Sequence, residues 1–223
     1  MKVIITGVTG MVGEGVLHEC ILHPDVESVT VVGRKAYGLK HDKLNEIIIE
    51  DLSDLSSAED RLRGYDACFF CAGVSSIGMK EEDYFRITYT MTIKFAEVLN
   101  RLNPGMVFEY ISGSGTDSTE KGRLMWARVK GKTENDLLKM PFRAVYNFRP
   151  GFLKPTKGLK NTLKYYRYVN WLFPVVSAIA PGLGSTLAEL GRAMINAAIY
   201  GYEKSTIEVK DIKALAKKTD TNR

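Results

Sequence analysis

Cysteine, histidine and tryptophan are scarce in this 223-residue chain, with three, three and two copies. Three cysteines cannot build a disulfide framework. Cys20, Cys68 and Cys71 all fall in stretches that read as buried, so a reducing compartment is expected and the predicted location is cytoplasmic. His18, His23 and His41 do not cluster with acids or cysteines at ligand spacing, and no metal site is predicted. Seven prolines and 20 glycines are too few for a low-complexity or collagen-like chain. The opening MKVIITG enters a β-branched pattern without the apolar core and cleavage site of an export signal. Charge of one sign is also in short supply: 31 basic against 26 acidic residues leave +5, which suits an anionic ligand as readily as nucleic acid. The Lys-rich tail from Lys204 to Arg223 is broken by Glu208, Asp211 and Asp220 and has no aromatic stacking platform, so no nucleic-acid partner is expected.

What is present is a regular alternation of strand and helix patterns, as parallel strands joined by crossover helices require. Strands are predicted at Lys2–Thr6, Ser28–Gly33, Glu46–Glu50, Asp66–Cys71, Met106–Ser112 and Phe142–Phe148. Helices are predicted at Met11–His23, stopped by Pro24, at Lys80–Leu102, stopped by Pro104-Gly105, and at Leu124–Lys139. In the long second helix, Phe85, Thr88, Met91, Phe95 and Leu99 recur at spacings of three and four along one side. The expected fold is α/β: a doubly wound parallel sheet of Rossmann type in three αβα layers with a small C-terminal helical cap, forming one domain over residues 1–223. Residues 1–152 make its ligand-binding core and 153–223 the cap and substrate side. Within the latter, Lys154–Tyr168 is rich in Lys and Tyr, and Val169–Ala188 is uncharged and Pro-containing. That segment reads as a lid, pocket wall or dimer face, with peripheral membrane contact through 169–188 as the alternative. A helix over Glu189–Tyr200 and an edge strand over Thr206–Val209 close the chain.

In such a fold the ligand sits at the carboxyl ends of the strands, where the strand order reverses. The turn after the first strand is Gly7-Val8-Thr9-Gly10-Met11-Val12-Gly13. Gly7 permits a tight turn, Gly10 lets a pyrophosphate approach the backbone, and Gly13 lets helix and sheet pack closely. The helix N-terminus that follows offers free N–H groups to an anion. After the second strand stand Arg34 and Lys35, where an acidic residue would bind a ribose 2′-hydroxyl and a basic one a 2′-phosphate. NADP(H) is therefore the expected cofactor. Asp51-Leu52, past the third strand, is placed beside the adenine. Cys68 and Cys71 have redox spacing, but they lie three apart in a strand and face opposite sides.

With these marks in this order, residues 1–152 resemble the short-chain dehydrogenase/reductase superfamily, and the tail does so only loosely. The glycine turn resembles that of its extended and atypical branches. Cys71-Ala72-Gly73 resembles its segment beside the nicotinamide ribose, and Arg149-Pro150-Gly151 resembles its Arg-Pro-Gly turn. The length is closer to compact, epimerase-like members around a mammalian Tat-interacting oxidoreductase than to the sugar epimerases. There the fifth strand ends in serines, matched here by Ser112 and Ser114, and a helix carries Tyr-x-x-x-Lys-Gly, matched by Trp126-Ala127-Arg128-Val129-Lys130-Gly131. The resemblance implies that Ser112 and Ser114 hold the substrate oxygen and that Lys130 holds the nicotinamide ribose. Tryptophan stands where the catalytic tyrosine is expected, and an indole N–H donates a hydrogen bond but does not shuttle protons near neutral pH. Tyr84, Tyr89, Tyr110 or a water relayed by Lys130 are the substitutes available. Thr88 stands where many members carry a helix asparagine.

The sequence thus predicts an NADP(H)-binding oxidoreductase or epimerase-like protein acting on a small, partly apolar carbonyl or alcohol. The alternatives are an NADP(H)-sensing binding protein without turnover, favoured by Trp126, and a membrane-surface or subunit-interface protein. A homodimer is compatible with the fold.

Overall fold

The computed structural model describes residues 1–161 and 182–218. Seven parallel strands form one sheet: β1 (Lys2–Thr6), β2 (Ser28–Gly33), β3 (Leu44–Ile48), β4 (Ala67–Phe70), β5 (Val107–Ile111), β6 (Ala144–Arg149) and β9 (Thr206–Glu208). Their order is β3-β2-β1-β4-β5-β6-β9, so the chain winds outward one way through β3 and the other way from β4, and the reversal falls between β1 and β4. A short parallel pair, β7 (Phe152–Lys154) with β8 (Gly184–Thr186), stands apart from this sheet.

The central strands are continuous runs of apolar residues because both faces are covered. On one face Val3, Ile5, Val29, Val31, Phe69 and Phe148 pack beneath α1 (Met11–Leu22), α5 (Leu187–Tyr200) and α6 (Val209–Leu215). On the other, Ile4, Val32, Cys68, Phe70 and Phe108 pack against Phe95, Ala96, Leu99 and Leu137. Those last four belong to α3 (Met91–Leu102) and α4 (Met125–Leu137). Cys68 and Cys71 contribute to opposite layers, as residues three apart in a strand must.

Several boundaries differ from expectation for identifiable reasons. The third strand begins two residues early because its register is set by β2, with Val29 opposite Leu44 and Gly33 opposite Ile48. The helix expected over Lys80–Leu102 is divided. It runs as α2 (Glu81–Phe85), a π-helical turn (Arg86–Thr90) and α3. The wider turn buries Thr88 beside the crevice while Phe95 and Leu99 keep facing the sheet. A 3-10 helix over Ser56–Leu62 had no periodic signature.

The C-terminal part contributes to the core as well as to the cap side. β9 extends the sheet beyond β6, and α5 lies directly on α1, capped by a reciprocal pair in which Thr186 Oγ1 accepts from Glu189 N at 3.0 Å and the Glu189 carboxylate accepts from Thr186 N at 2.7 Å. The two helices approach through glycines. A methyl group on Gly15 would sit 2.9 Å from Leu187 Cδ1, and one on Gly191 would sit 2.6 Å from Glu19 Cγ. Most of the uncharged segment, with Trp171, Phe173, Pro174 and Pro181, lies outside the described residues; residues 182–188 form a turn, β8 and the start of α5. Among the described residues, no helix is long and apolar enough to cross a membrane.

Because α1 and α5 have no room between them, Gly15→Val should lower stability by about 1–3 kcal/mol. Urea unfolding should show a lower midpoint with an unchanged slope.

Candidate active site

The reversal point is built by two turns whose backbones touch. Thr6, buried at the end of β1, accepts hydrogen bonds at its hydroxyl oxygen from the backbone N–H groups of Cys71 and Ala72, both at 3.1 Å. Gly7 follows with φ of +72°, and a side chain there would meet the Cys71 carbonyl oxygen at 2.5 Å. Gly13, in the first turn of α1, packs against the Gly7 carbonyl so closely that a methyl group would overlap it. Gly10 is different: its φ of −105° suits any residue, and the nearest obstacle to a side chain is the Gly7 carbonyl at 3.4 Å. Its bareness leaves open space over the N-terminus of α1.

Along the carboxyl ends of the strands runs a crevice in three connected parts that share Ala72 and Gly73. A cavity of about 700 Å³ is lined by Arg34, Glu50, Asp51, Leu52 and, from the long helix, Arg86 and Lys94. One of about 620 Å³ lies over Gly7, Thr9 and Gly10, with Arg34, Lys35, Leu52 and Cys71. The third, about 250 Å³, is lined by Val12, Thr88, Tyr110, Ser112, Lys130 and Pro150, among others. Arg34 and Lys35 are exposed and make no hydrogen bond or ion pair with any described residue. The Asp51 carboxylate accepts from Ser53 N and Oγ, both at 2.8 Å, which holds it below the usual carboxylate range while leaving it at the cavity wall.

Other expected residues are placed differently. Met11 packs into the α1 core layer. Gly151 lies against the Leu183 carbonyl, so its lack of a side chain serves the β7–β8 pairing rather than the crevice. Ser114 is exposed and contributes its backbone N–H to the Pro150 carbonyl at 3.0 Å. The Ser112 hydroxyl, expected to hold a substrate oxygen, donates to the Glu134 carboxylate and lies 3.1 Å from the Phe148 carbonyl. Trp126 is half-buried with its ring edge over Gly115, and its indole N–H reaches no described partner.

Lys130 sits one turn after Trp126, and its amino group donates to the Ser112 carbonyl. Loss of water around the amino group pulls its pKa down to about 8, against the raising influence of Glu134 one further turn along. Glu134 was missed in the sequence. It is 1% exposed, and besides the Ser112 hydroxyl it takes two donors of Arg149, whose guanidinium also reaches Ser118 Oγ at 2.6 Å and Glu208 at 3.4 Å. The spacing of four from Lys130 was the available signal. Also missed was Glu14, buried in the first turn of α1. Its carboxylate accepts from Tyr37 Oη at 2.8 Å and from the backbone N–H groups of Lys160 and Asn161 at 2.8 and 2.7 Å. Burial first, then the Glu14 hydrogen bond, pushes the Tyr37 phenol up to about 12.

The three tyrosines available as proton donors separate clearly. Tyr89 Oη is bound to Asp136 at 2.8 Å, away from the crevice. Tyr84 is 1% exposed and raised by burial. Tyr110 lines the Lys130 cavity, but burial drives its phenol far above its ordinary value.

Residues 3–121, more than half of the sequence, match the NAD dependent epimerase/dehydratase family. The chain belongs to that family. It is 23% identical to the protein fmp52-1, mitochondrial, of Aspergillus terreus over 91% of this chain and 89% of the relative. It is 26% identical to protein HTATIP2 of Rattus norvegicus over 68% of this chain, spanning 62% of the rat protein. Among solved structures, MoeE5 in complex with UDP-glucose and NAD shares the fold with a TM-score of 0.67 at 17% identity, over 97% of this chain and 81% of that one. The family carries the expected oxidoreductase-type Rossmann architecture. The cytoplasmic placement is overturned: the Aspergillus relative is named mitochondrial, as are FMP52 proteins of Scheffersomyces stipitis and Emericella nidulans. Free cysteines report only a non-oxidising setting and do not separate such compartments.

Two substitutions distinguish packing from ligand space in the turn. Gly10→Ala should keep stability or raise it by about 0.4–1 kcal/mol, whereas Gly13→Ala should lose about 1–3 kcal/mol in chemical denaturation. Glu134→Ala, which takes the buried carboxylate from the Arg149 guanidinium and leaves it only Ser118 and Glu208, should cost about 3–5 kcal/mol in the same measurement.

Proposed function

We propose that this family member binds NADP(H) extended along the crevice and serves as an oxidoreductase for a small, partly apolar carbonyl or alcohol. The observation that carries the reading is Arg34. It stands at the end of β2, lines both larger cavities and has no described partner, so its guanidinium is free for a 2′-phosphate. Glu50 lines the outer cavity one strand further along, and no carboxylate occupies the β2 position itself. The bare backbone at Gly10 and the α1 N-terminus fit a pyrophosphate, Leu52 and Asp51 fit an adenine, and Lys130 at the far end fits the nicotinamide ribose. A reduced nicotinamide, when bound there, supplies a hydride.

The residues of this chain orient and exclude. The Thr6 hydrogen bonds fix Ala72-Gly73 as the shared floor, and Ser112, clamped by Glu134, fixes the carbonyl that holds Lys130. Val74, Ile77, Leu124 and Leu183 are exposed on loops at the same end of the sheet, which favours an apolar substrate. The fungal relatives' names favour a mitochondrial setting. Trp126 supports a second reading, a binding protein that responds to the NADPH level without turnover.

Quenching of tryptophan fluorescence during parallel titrations with NADPH and NADH tests the proposal. NADPH should bind more tightly, and Arg34→Ala should cost it roughly tenfold to a hundredfold while barely changing NADH. Equal affinities in the wild type would defeat the 2′-phosphate assignment.

A further inference from the structure

We propose that Lys130 is itself the group that gives a proton to the substrate oxygen, replacing the tyrosine hydroxyl that Trp126 cannot supply. This deepens the dinucleotide reading above and rests on it. The small cavity at the inner end of the crevice has three ionisable side chains among its described lining residues: Cys71, Tyr110 and Lys130. Cys71 and Tyr110 are raised by burial and stay neutral and reluctant to exchange. Lys130 has three N–H donors. One is spent on the Ser112 carbonyl, and no other described residue takes the remaining two. That carbonyl cannot swing away, because its own side chain is held by Glu134 and Glu134 is held by Arg149. The amino group is therefore fixed at the crevice floor.

The charges around Lys130 are few. Glu134 on its own helix raises its proton affinity, Arg149 on β6 reaches it only through Glu134, and Tyr84 on α2 and Tyr110 on β5 remain neutral. Removal of water outweighs Glu134 and leaves the ammonium a far better acid than an ordinary lysine, within the range where a general acid at neutral pH is most effective. In reduction, the carbonyl carbon gains a hydride given up by the reduced nicotinamide, which is thereby oxidised, and the C=O π bond breaks. The oxygen takes the proton from the Lys130 ammonium, and the neutral amine left behind regains a proton from water. Oxidation of an alcohol reverses each transfer.

The sign follows. Carbonyl reduction needs the protonated form, so kcat/KM should be flat below pH 8 and fall about tenfold per pH unit above it; alcohol oxidation needs the neutral amine and should rise about tenfold per pH unit up to pH 8 and be flat above it. The first experiment needs no turnover: a pH titration of the protein labelled with carbon-13 at lysine Cε. One resonance should titrate near pH 8 and be missing from Lys130→Arg. The second measures reduction of a panel of aliphatic and aromatic aldehydes with NADPH. Lys130→Arg keeps the charge but cannot release the proton, so it should still bind NADPH and lose about a hundredfold or more in turnover. Lys130→Ala only removes atoms and covers the case where arginine does not fit; added methylamine should restore part of its turnover. A pH break near 8 that survives in either variant overturns the proposal. So does the absence of a lysine titrating below pH 9, or wild-type NADPH binding without turnover. Failure of the wild type to bind any nicotinamide dinucleotide removes the underlying reading as well.

Discussion

The backbone of β1 and the backbone of β4 are brought into contact at their carboxyl ends, where the Thr6 hydroxyl accepts two N–H groups and Gly7 leaves no side chain in the way. A sheet that winds in two directions from neighbouring strands opens a gap at this point, because the helices leave it on opposite faces. The Thr6–Cys71–Ala72 contact closes the bottom of the gap and leaves the top free. Every part of the crevice shares that floor. The open space above Gly10 exists because Gly13 lets α1 come down onto the Gly7 turn, which aims the helix N-terminus along the crevice instead of past it.

Electrostatics divide the crevice into two unlike ends. At the outer end, Arg34 and Lys35 stand in water without described partners, and their charge is available at little desolvation cost. At the inner end, charges are enclosed and compensated: Glu134 against Arg149, with Lys130 on a backbone carbonyl. An exposed cation suits capture of a mobile anion, whereas an enclosed one suits control of a protonation state. The same helix, α4, presents Trp126, Lys130 and Glu134 at spacings of four, so these three change environment from half-open to closed within two turns.

The strand order, the glycine turn and the basic pair after β2 were legible because each rests on local pattern: apolar runs, glycine punctuation and a residue type at a strand end. The π-helical turn at Thr88 was not, since an added backbone residue leaves the apolar spacing of the long helix almost intact. The Glu134 clamp on Ser112 was hidden for a different reason. A small residue after a strand suits a substrate contact and a clamp equally well, and only the position of Glu134, 22 residues later, reveals the clamp. Glu14 was invisible for the same cause, its partners Lys160 and Asn161 lying far along the chain. Residues that act through distant partners carry no periodic signature.

The pairing of α1 with α5 has a consequence for how the protein is made. The helix α1 buries part of its face against α5, which is synthesised about 170 residues after it. At ordinary elongation rates of about 5–20 residues per second, that face stays uncovered for roughly ten to thirty seconds. The early strands can pair during that time and take up one side of the layer holding Val16, Leu17 and Cys20, but the side that Leu187, Leu190 and Met194 complete stays open. Premature termination anywhere before α5 would release a chain with an unburied apolar surface, and protection of that surface during synthesis falls to whatever binds nascent chains.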